Sequence, residues 1–237
     1  IAKPPAAVAR GVNALKGVAA MPDFAFRRTM MVDTQVRPSD VTKLPIIESM
    51  LSIPRERFVP AALVEAAYVG ENLHLGGGRV LLDARTLAKM LDALDIRPVD
   101  LVLDVAAATG YSSAVIARMA EAVVAVEPDE ALAAEAETVL DSIGATNVVV
   151  ECRPAAEGAP AHGPYDAMLV QGGVETFPEA LAAQLKDGGR VAALFIDGPL
   201  GVVRVGVKAG ASIRWRDAFN AAAPVLEGFS RPRAFAL

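Results

Sequence analysis

The chain has 237 residues, a formal net charge of −5, 53% hydrophobic, 22% charged and only 5% aromatic residues, which is length enough for one large α/β domain, or for one with a helical appendage. The acidic balance argues against general nucleic-acid binding, which needs a basic face, and no window supplies the roughly 20 uninterrupted apolar residues of a membrane span. The single cysteine, Cys152, excludes an internal disulfide and a cysteine-cluster zinc site, so a cytoplasmic protein is expected.

Residues 1–22 carry Lys3, Arg10 and Lys16 and no acid. Val8, Val12, Leu15 and Ala19 recur at helical spacing, which predicts a short basic amphipathic helix after Pro4-Pro5. A leader before a start near Met21, a presequence-like segment and a docking arm all answer to that pattern. The docking arm is the expectation taken forward, set against a partner protein or a membrane-attached assembly.

Residues 23–95 read as a helical subdomain. Asp23 is placed to cap a helix through Phe26, Met30 and Met31, with Arg27-Arg28 on its solvated face. Arg37-Pro38-Ser39-Asp40 is a turn whose Ser39 or Asp40 is expected to cap the next helix, which carries Leu44, Ile47 and Leu51. The stretch Ile53 to Pro60 punctuates the chain. Residues 61–69 read as a short apolar helix, His74 to Arg79 as a flexible glycine loop, and Ala84 to Leu94 as an amphipathic helix.

Residues 96–237 read as an α/β domain. Strands are predicted at 99–105, 122–126, 147–151, 165–171 and 189–195, with helices near 111–119, 129–143 and 178–186. Such alternation implies a parallel sheet covered by helices on both faces. Gly188-Gly189 is read as a left-handed cap on the last helix. Val202 to Val207 and Ser212 to Phe219, joined by a short turn, predict an antiparallel hairpin at the sheet edge.

The chemistry concentrates in Leu101-Val-Leu-Asp-Val-Ala-Ala-Ala-Thr-Gly-Tyr-Ser-Ser113 and its continuation. A buried strand, a small-residue turn and a helix place backbone N–H groups where a nucleotide or a carboxylate can sit. Glu127 ends the second strand 23 residues after Asp104, the spacing at which a nucleotide-binding βαβ unit holds ribose hydroxyls. Asp104 either meets a cofactor or caps the following turn. Ser112-Ser113 are explained by capping, Tyr111 by packing, and Cys152 by packing at a strand end. His74 and His162 lack ligand-spaced partners, so no metal site and no catalytic constellation is expected.

In order and spacing these segments resemble the S-adenosylmethionine-dependent methyltransferases, and more narrowly the protein-L-isoaspartate O-methyltransferases. The resemblance is carried by Arg28-Thr-Met-Met-Val-Asp-Thr-Gln35, Ile53-Pro-Arg-Glu-Arg-Phe-Val-Pro60, Ala67-Tyr68, Leu75-Gly-Gly-Gly78, Gly163-Pro-Tyr-Asp166 and Gln184-Leu-Lys-Asp-Gly-Gly189, over about residues 23–210. It implies a Rossmann-like class I methyltransferase sheet, mostly parallel with a C-terminal antiparallel hairpin. It also implies S-adenosylmethionine as cofactor, held at Asp104, Thr109, Gly110 and Glu127, and an isoaspartyl carboxylate as methyl acceptor.

The departures fall on that chemistry. Ala106 and Ala108 stand where the family has glycines, and Leu82 where its substrate loop has a hydroxyl residue. Arg153-Pro154-Ala155 replaces a G-D-G element, and Val170-Gln-Gly-Gly-Val174 replaces a run of small residues. The expectation is therefore a non-catalytic accessory subunit of a larger assembly, docked in part through residues 1–22. The alternative is an active carboxyl methyltransferase acting on L-isoaspartyl residues in damaged proteins.

Overall fold

The computed structural model describes residues 23–198 and 200–231; the tail 1–22, where the docking helix is expected, lies outside them. Helix α1 (Phe24–Met31) begins where the Asp23 carboxylate accepts from the Phe26 N–H at 2.9 Å, the predicted cap. Arg28 is not on a solvated face. It lies half-buried, donating to the Tyr68 hydroxyl at 3.0 Å and pairing with Glu56 at 3.3 Å, because the prefix folds back over its own first helix. Arg27 does reach solvent, beside Glu65.

The chain continues through a π-helical turn and a 3-10 turn to Asp40, which adopts a left-handed φ of 64°. Neither Ser39 nor Asp40 caps helix α2 (Leu44–Ser52). Lys43 occupies the cap position without a side-chain bond and Pro45 sets the first turn, while the Ser39 hydroxyl donates back to the Gln35 carbonyl. The predicted helix at 61–69 is a 3-10 segment, Ala61–Ala66.

The expected loop at 74–79 is a hairpin, β1 (Leu73–Gly76) and β2 (Arg79–Leu81), paired antiparallel and separate from the main sheet. Its glycines hide the strand pattern in the sequence. Helix α3 (Ala84–Leu94) follows, with Asp83 accepting from the Thr86 N–H at 2.9 Å.

The alternating segment comprises β3 (Leu101–Val105), α4 (Tyr111–Ala117), β4 (Ala122–Glu127), α5 (Glu130–Ser142), β5 (Val148–Cys152), β6 (Tyr165–Val174), α6 (Glu179–Ala183), β7 (Leu185–Asp197), β8 (Leu200–Ala209) and β9 (Ser212–Asn220). The sheet order is β5-β4-β3-β6-β7-β8-β9, parallel through β7 and antiparallel at β8 and β9. The strand order reverses between β3 and β6, so the crevice at their carboxyl ends is where such a sheet takes ligands. Gly188 does not cap a helix. α6 stops at Ala183, where the Gln184 amide donates back to Ala180 at 2.8 Å, and Gly188 sits in an irregularity of the β6–β7 pairing.

Strand residues alternate between two cores. Val102, Val123, Leu169 and Ala192 face α3, α4, α5 and the prefix, so the prefix and the sheet share one apolar interior. Leu103, Val105, Val124 and Met168 face α6, the 155–159 segment and a C-terminal strap. That strap runs past the end of β6. The Leu226 N–H donates to Gly173 at 2.9 Å, the Gly173 N–H to Pro224 at 2.8 Å, and the Glu175 and Thr176 N–H groups to Phe229 at 3.0 Å. Gly172 must lack a side chain here, since a Cβ would lie 2.6 Å from Leu226 Cδ2.

Candidate functional site

The turn after β3 keeps a glycine-type backbone without most of the glycines. Ala106, Ala108 and Gly110 have φ of 61°, 51° and 87°. Each alanine in this region costs about 1–2 kcal/mol, and it persists only because neighbours over-determine it. The Ala107 N–H donates to Val126 at 3.0 Å, Ala108 N–H to Glu127 Oε2 at 2.7 Å, and Gly110 N–H to Ala107 at 2.9 Å. A side chain at Gly110 would be strained at that φ, and its Cβ, 3.1 Å from Leu140 Cδ1 and 3.3 Å from Ala136 Cβ, would fit only if those side chains yielded by a few tenths of an ångström.

Asp104 is wholly buried at the carboxyl end of β3. Its Oδ2 accepts from the Ser112 and Ser113 hydroxyls at 2.6 Å each, and its Oδ1 from the Gln171 amide at 3.0 Å. The two serines therefore do not cap α4, whose cap residue Gly110 makes no side-chain bond. An acid lying beneath the first turn of the helix captures them instead. Burial pushes the Asp104 carboxyl above the ordinary carboxylate range, against the pull of those three donors. The Thr109 hydroxyl is likewise committed, donating to the Phe58 carbonyl at 2.6 Å and fastening the turn to the prefix.

Glu127 is the centre of the crevice, and its partner is Arg79. Oε1 accepts from Arg79 Nε at 3.2 Å and the Asp129 N–H at 3.1 Å; Oε2 accepts from Arg79 Nη2 and the Ala108 N–H, both at 2.7 Å. Arg79 Nη2 also donates to the Ala106 carbonyl. Both side chains are buried, at 8% and 0% exposure, so this is an internal ion pair. A carboxylate offers about four acceptor positions, and all four are taken. Sequence reading missed Arg79, placing it in a flexible loop; a lone basic residue closing a glycine run was the only signal there.

Beside the pair lies a cavity of about 390 Å³ walled by Gly77, Gly78, Pro128, Asp129, Ala155 and the strap residues Val225 to Glu227. Leu82 does not face it. Its side chain is buried in the core and its carbonyl accepts from Arg55 Nη2 at 2.7 Å. Tyr111 packs as expected, fully buried under the Arg55 guanidinium. Cys152 is exposed, not packed. His74 is exposed, and His162 Nε2 lies 2.9 Å from Glu151 at the surface. Among the described residues no cluster of three or more metal-ligating side chains occurs, and no helix is long and apolar enough to cross a membrane.

Comparison with known proteins agrees with this architecture. The sequence profile of the protein-L-isoaspartate(D-aspartate) O-methyltransferase (PCMT) family matches residues 27–198. The protein-L-isoaspartate O-methyltransferase of Methylorubrum extorquens (strain PA1) is 40% identical, covering 72% of this chain and 75% of its own. That of Koribacter versatilis (strain Ellin345) is 37% identical, covering 73% and 80%. A solved protein-L-isoaspartate O-methyltransferase superposes with a TM-score of 0.75 at 22% identity, over 86% of this chain and 66% of that one. A Plasmodium falciparum structure described as a PCMT, in complex with S-adenosyl-L-homocysteine, superposes with a TM-score of 0.71 at 15% identity, over 85% and 98%. The fold, the order of its elements and the extent of these matches place the chain in the protein-L-isoaspartate O-methyltransferase family.

Proposed function

We propose that this chain is a non-catalytic member of its family, serving as an accessory subunit in a protein assembly. One observation carries the reading: Glu127, the acid expected to hold the ribose, is engaged by the chain's own Arg79. The residues as arranged do not fit S-adenosylmethionine in the family's manner. A ribose diol would need two acceptor positions on Glu127, and Arg79, Ala108 and Asp129 occupy all of them. Of the other expected contacts, Asp104 accepts from Ser112, Ser113 and Gln171, the Thr109 hydroxyl donates to Phe58 and the Gly110 N–H to Ala107. An exposed apolar patch of Phe26, Met30 and Val69 offers a surface for a partner. Docking through residues 1–22 and residence in the cytoplasm, on a membrane-attached assembly, belong to the same proposal.

A second reading is favoured by the comparisons. The relatives described above, at 37–40% identity, carry the name of the active enzyme, and the turn at Ala106 to Gly110 keeps its left-handed path. In that reading the chain methylates L-isoaspartyl carboxylates with S-adenosylmethionine. Calorimetric titration with S-adenosylhomocysteine, followed by a methyl-transfer assay on an isoaspartyl peptide, decides between them. The first reading expects no binding up to millimolar ligand; micromolar binding with peptide methylation establishes the second.

A further inference from the structure

We infer that Arg79 is an internal occupant of the ribose seat, carried on a glycine hinge, and that it determines whether the crevice admits an adenosine-type ligand. The inference rests on the non-catalytic reading and extends it to a single residue. A guanidinium presents two parallel N–H groups to a carboxylate, as a vicinal diol presents two O–H groups. Arg79 makes that fork on Glu127 through Nε and Nη2, and the same Nη2 reaches the Ala106 carbonyl. One side chain thus engages both the turn after the first strand and the acid after the second, the two elements by which a βαβ unit holds a nucleotide.

The chain on the N-terminal side of Arg79 is free of packing. Arg79 follows Gly76, Gly77 and Gly78, whose φ values are 96°, 55° and 74° and around which an added Cβ would meet nothing within 4 Å. The hairpin that carries it pairs only with itself, and its register slips between His74 and Gly76. Val80 and Leu81 anchor β2 in the core, while the guanidinium is held by Glu127 and the Ala106 carbonyl and not by strand pairing to the main sheet. Withdrawal of Arg79 would free two positions on Glu127 and join its space to the neighbouring cavity.

The test is titration of S-adenosylhomocysteine, and separately of adenosine and 2′,3′-dideoxyadenosine, into the wild-type protein, Arg79→Met and Arg79→Lys, each checked for folding by circular dichroism. The expected result is no wild-type binding up to about 1 mM and a gain of about thirtyfold or more in Arg79→Met, an intramolecular competitor having been removed. That gain should vanish for the dideoxy nucleoside. Arg79→Lys, which keeps the charge without the fork, should gain less, and it decides the question by the same comparison if Arg79→Met does not fold. A folded variant that binds no better than a non-binding wild type overturns the role of Arg79 and leaves the non-catalytic reading standing. Micromolar binding by the wild type, unchanged in the variants, overturns both.

Discussion

Replacing Arg79 by methionine keeps most of the stem but leaves the Glu127 carboxylate buried with only the Ala108 and Asp129 N–H groups as donors. At 2.7 Å the direct attraction is about 6 kcal/mol for an effective dielectric of 20. Desolvation of the two groups offsets much of this in the intact pair, so the pair's net worth is smaller. Removing one partner of a buried pair strands the other and costs about 3–5 kcal/mol. Glu127→Gln loses the charge and also orphans at least one backbone N–H, a loss of about 1–3 kcal/mol from that bond alone. Urea denaturation of Arg79→Met, Glu127→Gln and the double variant should therefore give a double loss smaller than the sum of the singles by about 1–3 kcal/mol. Additivity within about 0.5 kcal/mol would refute the internal pair and everything built on it.

Asp104→Asn should change the pH dependence of stability. The native carboxyl of Asp104 is raised above its unfolded value, so the native state holds the proton more tightly. Its contribution is present at low pH and lost as pH climbs from the ordinary carboxylate range through the raised native value; each tenfold difference in proton affinity between the folded and unfolded chain is worth about 1.4 kcal/mol. The variant should lack that decline in urea midpoints measured from pH 4 to 8; a profile matching wild type would count against the buried carboxylate. Gly172→Ala should push Leu226 off β6, costing about 1–3 kcal/mol, expose residues 221–231 to limited proteolysis, and be partly rescued by Leu226→Ala. Ala106→Gly with Ala108→Gly removes left-handed strain of about 1–2 kcal/mol per site. It also adds unfolded-state entropy of about 0.4–1 kcal/mol and loses a buried methyl worth about 0.8 kcal/mol. Thermal unfolding should thus move little, and a loss above about 2 kcal/mol per site would contradict the strained geometry.

Much of the scaffold was legible locally. The Asp23 cap, α3 from Ala84 to Leu94, the five parallel strands and the terminal hairpin all followed from apolar periodicity and punctuation, because those signals act over a few residues. Local reading failed where one residue type serves two purposes. A serine at a helix start suits a cap or a buried acid equally, and only the packing of α4 over Asp104 sent Ser112 and Ser113 to the carboxylate. Glycine caused similar trouble: at 76–78 it concealed a hairpin, and at 188 it marked a sheet irregularity where a helix cap was expected.

Sequence alone determined the fold class and the family resemblance, and it marked the turn at Ala106 to Gly110 and the acid at Glu127, both set by strand ends, as the expected cofactor site. Tertiary structure decided what that place now holds. Arg79 and Glu127 stand 48 residues apart, and no local propensity records that a glycine-hinged arginine and a strand-end acid will share one buried crevice. Burial turns an unremarkable pair of charges into an obligatory one, because neither can be left without a partner away from water.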